Sequence, residues 1–416
     1  MKKIKKICFW LLFCFSLAQS FLVFSAQSKD VVVSLQINNP IMKVNGVNTE
    51  IDKGEGTKPV IINGRTLVPV RAIIEAFDGT VQWDGARRTV TLNMENDTIE
   101  LEIGDSIAYY NDKAYTLEAA PCIINERTML PIRFIAENFN IAVAWNNDTK
   151  TVFLVRNFFD EEEYERLMSS VPEYSGEPYV LVNHNKPYFR NYELIDASFE
   201  YYSKLDNLGR CGVCMASVGE DIMPTEKRGS ISSVTPTGWI NAQYDNVDGK
   251  YLYNRCHLIG FQLTGENANK RNLITGTRYL NVDAMLIFEN MVDDYIEKTG
   301  NNVVYRSTPV FEENNLLADG VLLEGYSVED NGKGISFCVY CYNVQPGIFI
   351  DYKTGKSSIG GNVQNEKPQN TGATVYRTPT GKKYHLDMDC GGKNSYSVDL
   401  DSAINSGLTP CSKCAD

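Results

Sequence analysis

Asn254-Arg255-Cys256-His257, followed by Asn272, Asn281 and Glu289, gathers a guanidinium, an imidazole, neutral amide oxygens and a carboxylate into one short stretch. Such a set can hydrolyse a phosphodiester. That reaction needs a base to activate water, a cation to stabilise charge on the phosphorane, and help for the leaving oxygen. His257 is one of only three histidines in 416 residues, so a catalytic imidazole has few other candidates. An isolated His beside an Arg is ordinarily a polar pair of the surface or core. The agreement of several chemical groups in order and spacing lifts this one above that reading.

Two elements must position these groups. Arg255 and His257 are two residues apart, so on a strand both side chains leave the same face. Glu289 follows Asn281 by eight residues, roughly two helical turns, which places the pair near one face of a helix. The segment 279–295 reads as that helix, with Leu280, Ala284, Ile287, Phe288, Met291 and Tyr295 recurring at three and four. Asn272 has two readings, as a group that orients the base or a ligand, or as a brace for the loop entering the helix.

NRCHLIG, then NLITGTRYLN, then DAMLIFE resembles the DNA/RNA non-specific endonucleases of the ββα-metal (His-Me finger) class, including secreted streptococcal DNases. The resemblance spans about 171–358 and takes in LGRCGVCMASVG and MPTEKRGSISSVTPTGW upstream and GISFCVYCYNVQPGIFIDYKTG downstream. Asn254 stands where many relatives have Asp, and Cys256 where many have Gly. The resemblance implies an α+β fold whose ββα-metal core carries a mixed or antiparallel sheet. It implies an enzyme, a Mg²⁺-dependent (or Mn²⁺-dependent) nuclease that cleaves DNA, and RNA as well, to 5′-phosphate products. His257 would be the base, Asn281 the direct metal ligand, Arg255 a phosphate contact, and Glu289 an acceptor for metal-bound water. Arg228, in EKRGS, is a second candidate phosphate contact. The alternatives are a catalytically silent protein that captures extracellular DNA, or a wall-associated adhesin.

Residues 61–92 and 123–154 align at a constant offset of 62, with IINGRTLVPVRAIIEAFDGTVQWD matching IINERTMLPIRFIAENFNIAVAWN. Arg65/Arg127, Pro69/Pro131, Arg71/Arg133, Glu75/Glu137, Phe77/Phe139 and Trp83/Trp145 are identical pairs. Duplication at this length means two copies of one supersecondary unit packed together. Each copy reads as a strand, a short helix (70–77 and 132–139) and a strand pair, with the two tryptophans in equivalent core positions. The region 32–156 resembles the copper amine oxidase N-terminal-like stalk domain. Residues 1–183 contain no His and no cluster of metal ligands, so no copper site is expected there. The Arg/Glu pairs brace the fold, and the stalk is expected to present or tether the enzyme, with the cell wall as a candidate partner.

MKKIKK, an apolar run over 7–24 and small residues near Ser25 and Ala26 make a secretory signal over 1–26. The apolar run is also nearly long enough for an uncleaved anchor. Either way the chain is exported, secreted or held at the surface of a Gram-positive-type bacterium. A net charge of −12 argues against polyanion binding by the whole surface. Lys250, Arg255, Lys270, Arg271 and Arg278 against the single acid Glu266 make a local basic patch suited to phosphates. Two of the eleven cysteines, Cys8 and Cys14, fall in the leader, leaving nine. An odd number rules out complete internal pairing, and most read as small buried hydrophobes.

Residues 359–374 are polar, rich in Gly and Asn, and read as a linker. In the module that follows, 375–416, His385-x4-Cys390 and Cys411-x2-Cys414 offer four soft ligands in two pairs, a set suited to tetrahedral structural Zn²⁺. A disulfide with His385 incidental is the competing reading in an oxidising compartment. Oligomeric state is not legible in the sequence.

Overall fold

The computed structural model describes residues 31–156, 165, 168–360, 374–377, 382–391, 395–399, 403 and 408–414. The expected leader (1–26) and most of the expected linker (359–374) lie outside the described residues. The chain divides into two units, Met1–Gly360 and Gly361–Asp416. The fold is α+β, built mainly from antiparallel sheets with few helices.

In the N-terminal lobe the duplicated sequence becomes a duplicated structure. Strands Arg65–Pro69 and Arg127–Pro131 pair antiparallel with Val68 opposite Leu130, Pro69 opposite Met129 and Leu67 opposite Pro131. Val68 and Leu130 are separated by the repeat offset itself, so a local twofold passes through that pair. Each strand runs through an extended proline into a seven-residue helix, Val70–Ala76 or Ile132–Asn138. The helices bury Val70, Ile73 and Ile74, and Ile132, Ile135 and Ala136, in one shared core. Strand Val31–Gln36 pairs with Thr151–Arg156, so the first strand of the lobe is stitched to the last. Arg71–Glu75 and Arg133–Glu137 are exposed pairs four residues apart, worth about 0.3–0.5 kcal/mol each. Arg65 pairs with Glu118, and Arg127 with Asp52 and Glu55.

The tryptophans depart from expectation. Trp83 is 44% exposed and Trp145 only half-buried. Trp83 lies opposite Val90, which is buried, but strand Thr80–Asp84 is the outer strand of its sheet and leaves the indole face uncovered.

The central lobe is organised by a six-stranded antiparallel sheet. Its order is Tyr179–Leu181, Ser336–Tyr342, Gly320–Ser327, Val303–Val310, Cys214–Val218, Phe199–Tyr202. Strand Val303–Val310 is buried at every residue but the last, because both faces of the sheet are covered. One face, through Ala216, Val218, Tyr305, Leu323, Phe337 and Val339, packs on the helix Leu286–Thr299 through Phe288, Val292 and Ile296. The other face meets the N-terminal lobe: Phe199, Tyr201, Met215 and Val304 share a core with Val32, Ala142, Ala144 and Val155. Asn146 Nδ2 donates to Asp196 Oδ1 (3.2 Å), and Lys204 pairs with Asp97 across the same junction.

Within the second face, Arg306 is buried between Glu193 and Glu324 and stacks on Phe189. The backbone N–H groups of Tyr188 and Arg190 donate to those two carboxylates. The ion cluster therefore holds the segment before Phe199 onto the sheet.

Because the two lobes share one apolar core, a charge placed in it should destabilise both. Ala144→Glu should lower the urea-unfolding free energy by about 2 kcal/mol or more, since a buried carboxylate there has no partner. The exposed control Gln82→Glu should stay within about 0.5 kcal/mol. An Ala144→Glu midpoint equal to that of the control would show that the lobes do not share a core.

Candidate active site

The site is built on an antiparallel hairpin, Tyr253–His257 paired with Leu273–Thr277, with Asn254 opposite Gly276 and His257 opposite Leu273. Tyr253–His257 alternates as expected at the decisive position. Cys256 is fully buried in the core shared with Leu280 and Phe288, which turns Arg255 and His257 to the other face. Room for the Cys256 thiol comes from Gly276: a Cβ added there would stand 2.3 Å from Sγ. Burial pushes that thiol's pKa up, as it does at Cys338 and Cys341, so these cysteines behave as packing groups.

After the hairpin the chain enters a π-helical segment, Leu280–Met285, that continues as the α-helix Leu286–Thr299. The wider π turn rotates the later residues relative to a uniform 3.6-residue pattern. Leu280, Ala284 and Phe288 are buried as expected, but Ile287 and Met291 are exposed, and Met285, Val292 and Ile296 take their places.

His257 is buried, with Nε2 2.8 Å from the carbonyl oxygen of Asn267. A carbonyl can only accept, so Nε2 carries the proton and Nδ1 keeps its lone pair. Nδ1 receives a hydrogen bond from Arg228 Nη2 at 3.2 Å. Burial lowers the imidazole pKa to about 4; the Asn267 carbonyl opposes that shift and the Arg228 charge adds to it. A neutral imidazole with its basic nitrogen facing a guanidinium is poised to take a proton close to an anion-binding group.

Arg255 is held by two contacts. Its Nε donates to the Val234 carbonyl (2.6 Å), and its guanidinium carbon lies 4.1 Å over the Trp239 ring. Its Nη atoms make no further hydrogen bond among the described residues, which leaves the outer edge of the fork for a phosphate.

Glu289 is buried beside the exit of the His257 strand, and a Cβ on Gly260 would come within 2.7 Å of its carboxylate. Burial raises its pKa to about 8, with Arg228 pulling the other way. Among the described residues it accepts no hydrogen bond. Asn281 lies in the π segment, half-buried, and its amide likewise has no partner among the described residues. These are a buried carboxylate and an unspent amide oxygen on one helix, the hard oxygen donors that a small divalent cation takes.

Asn272 takes the bracing role. It is fully buried, its Oδ1 accepts from Ile259 N and its Nδ2 donates to Ile259 O, both at 2.9 Å. With both amide atoms committed to backbone, it holds the chain just beyond His257 and orients the site through that backbone. The expected basic patch is partly spent. Lys250 pairs with Asp245 and Arg278 with Asp248, acids just outside the stretch that suggested the patch, and Arg271 donates to Asn140 of the N-terminal lobe. The pairs with Asp245 and Asp248 are exposed and weak.

Residues 190–328 match the family model described as DNA/RNA non-specific endonuclease. This segment is a DNA/RNA non-specific endonuclease domain. Residues 55–154 match the copper amine oxidase N-terminal domain model. No curated protein matches the chain. Solved structures similar to it include NucA from Streptococcus agalactiae with magnesium ion bound, at 20% identity and TM-score 0.42, covering 48% of this chain and 95% of that one. The Sda1 nuclease with bound zinc ion aligns at 24% identity and TM-score 0.36, over 45% of this chain and 97% of that one. An extracellular endonuclease aligns at 20% identity and TM-score 0.32, over 45% of this chain and all of that one.

Some parts of the endonuclease domain's site left no trace in the sequence. The group that fixes the His257 tautomer is the backbone carbonyl of Asn267, which any residue could supply. Gly260 and Trp239 matter only through their contacts with Glu289 and Arg255. Asn267 also donates from Nδ2 to the Ser230 carbonyl (3.3 Å), tying the loop that faces His257 to the loop that carries Arg228.

Two outcomes follow for the endonuclease domain. In NMR titration the His257 imidazole should have its midpoint near about 4, and Arg228→Gln should move it upward by removing the nearby positive charge. Because the folded pKa lies below the unfolded value, this residue's contribution to stability is present above about 6.5 and lost as pH falls through about 4. A His257 midpoint near 6.5 in the folded protein would contradict the buried environment. Separately, Gly276→Ala should cost about 1–3 kcal/mol through overpacking against the Cys256 thiol. Adding Cys256→Gly should recover part of that loss in chemical denaturation; purely additive losses would mean that the two side chains do not compete for space.

Proposed function

We propose that the chain is an exported, divalent-cation-dependent nuclease that cleaves DNA, and RNA as well, with little sequence preference. The observation that carries this reading is His257, buried, neutral and held in one tautomer by Asn267, with Nδ1 turned toward Arg228. Nδ1 takes a proton from water as the water oxygen attacks phosphorus. The bond to the 3′-oxygen breaks, that oxygen takes a proton from a solvent water as it leaves, and the phosphate stays on the 5′ side. Arg255 presents the free edge of its fork to the phosphate, and Arg228 moves from the imidazole to the entering anion. A Mg²⁺ or Mn²⁺ ion held by the Asn281 amide oxygen, with Glu289 reached through water, would supply charge stabilisation at the phosphate. Glu289 fits that role as a buried carboxylate that calls for positive charge.

Export rests on the basic and apolar composition of residues 1–26. The stalk is proposed to keep the enzyme at the cell surface, with the wall as partner, while also covering one face of the catalytic sheet.

The decisive measurement is plasmid degradation with purified protein. EDTA should stop cleavage, and Mg²⁺ or Mn²⁺ should restore it. His257→Ala should reduce the rate by roughly two to four orders of magnitude while circular dichroism stays unchanged. Asn281→Ala should raise the metal concentration required, and Glu289→Gln should do less harm because it acts through water. DNA retention without cleavage by the wild type would favour the silent capture protein instead, and undiminished rates in His257→Ala would sink the assignment of the base.

A further inference from the structure

The C-terminal unit contains a cluster that the nuclease reading does not use. Strands Thr374–Arg377 and Tyr396–Asp399 pair antiparallel, and the short strand Lys383–Tyr384 pairs in parallel with Thr409–Pro410. That parallel register puts His385, which follows Tyr384, next to Cys411, which follows Pro410. A further bond, Cys411 N to Tyr384 O at 2.9 Å, fixes the pair. Cys390 comes from the short helix Met388–Gly391. Cys414 returns through a turn in which its N–H donates to the Cys411 carbonyl (3.2 Å). Segments far apart in sequence therefore deliver one imidazole and three thiols to a single point, with all four ligand atoms within 4.8 Å of one another.

We infer that this unit is a structural zinc module, with Zn²⁺ bound by His385 Nδ1 and the thiolates of Cys390, Cys411 and Cys414. The distances decide between metal and disulfide. A tetrahedral ion with Zn–S near 2.3 Å and Zn–N near 2.0–2.1 Å separates two sulfurs by about 3.8 Å, and a sulfur from a nitrogen by about 3.6 Å. Cys390 Sγ and Cys411 Sγ are 3.9 Å apart, and Cys414 Sγ and His385 Nδ1 are 3.6 Å apart. A disulfide would require about 2.05 Å, and all three cysteines are free.

The unit also needs an internal tie. Its described apolar core is Val375, Ala403 and Leu408 with Tyr384 against them. A chain segment this short buries little apolar surface and usually relies on a metal or cross-link. With four protein ligands the ion has no open position, so its role is to fold the module and not to catalyse. Binding releases the thiol protons, and its free energy becomes folding free energy for this segment.

The test uses the full-length chain, purified under reducing conditions and dialysed against Mg²⁺ buffer. Metal analysis should find one tightly held zinc per chain, and Co²⁺ in its place should show the visible bands of a tetrahedral thiolate site. Asn281→Ala should retain that zinc, which separates this site from the catalytic one. Cys411→Ser/Cys414→Ser should lose it, should expose the segment 374–414 to limited proteolysis, and should leave the rate of plasmid cleavage unchanged. The inference is overturned if the reduced chain holds no zinc, if the double variant keeps it, or if exported protein carries a Cys411–Cys414 disulfide without metal. None of these outcomes depends on whether the central domain cleaves DNA.

Discussion

The geometry of the candidate site depends on the point where strand Tyr253–His257 ends. Both atoms of the Asn272 amide are committed to the backbone of Ile259, and Leu258 N donates to the Asn272 carbonyl. These bonds are buried, so no water can replace them, and losing one leaves an unsatisfied polar group at a cost of about 1–3 kcal/mol. They fix where the chain turns after His257. That turn places Gly260 against the Glu289 carboxylate and leads into the loop whose Asn267 carbonyl sets the imidazole tautomer. One side-chain amide thus positions the His257 imidazole and the buried Glu289 carboxylate without touching either.

The chemistry was more legible than its scaffolding. His257, Arg255 and Arg228 stand out as candidates because histidine is scarce in the chain and the three are ordered along it, and the structure brings Arg228 onto His257. The alternation that sends Cys256 to one face and its neighbours to the other follows from the strand period alone. The helix was harder to read. Its apolar stripe assumed a constant 3.6-residue turn, and the π segment at Leu280–Met285 shifts the stripe so that Ile287 and Met291 face solvent. A single widened turn leaves no mark in composition. Asn272 looked like either a ligand or a brace, and only the position of Ile259 distinguishes them.

The duplicated lobe shows what a repeat can and cannot specify. The 62-residue offset correctly implies two similar units, and the pairing of Val68 with Leu130 shows them meeting about a twofold. Local pattern could not say that Trp83 would lie on the outer strand of its sheet, since exposure there is set by the absence of a neighbouring strand. Nor could it say that this lobe would lend Val32, Ala142, Ala144 and Val155 to its neighbour's core.

That shared core has a consequence for how the protein comes into being. A chain delivered N-terminus first completes the duplicated lobe before Phe199–Tyr202 and Cys214–Val218 emerge. The lobe then offers a finished apolar surface on which the later sheet can assemble, strand by strand, with one face already dry. In this sense the N-terminal lobe acts as a built-in template. The enzyme's slow, long-range strand pairing, from Phe199 out to Tyr342, takes place against a partner that travels ahead of it on the same polypeptide.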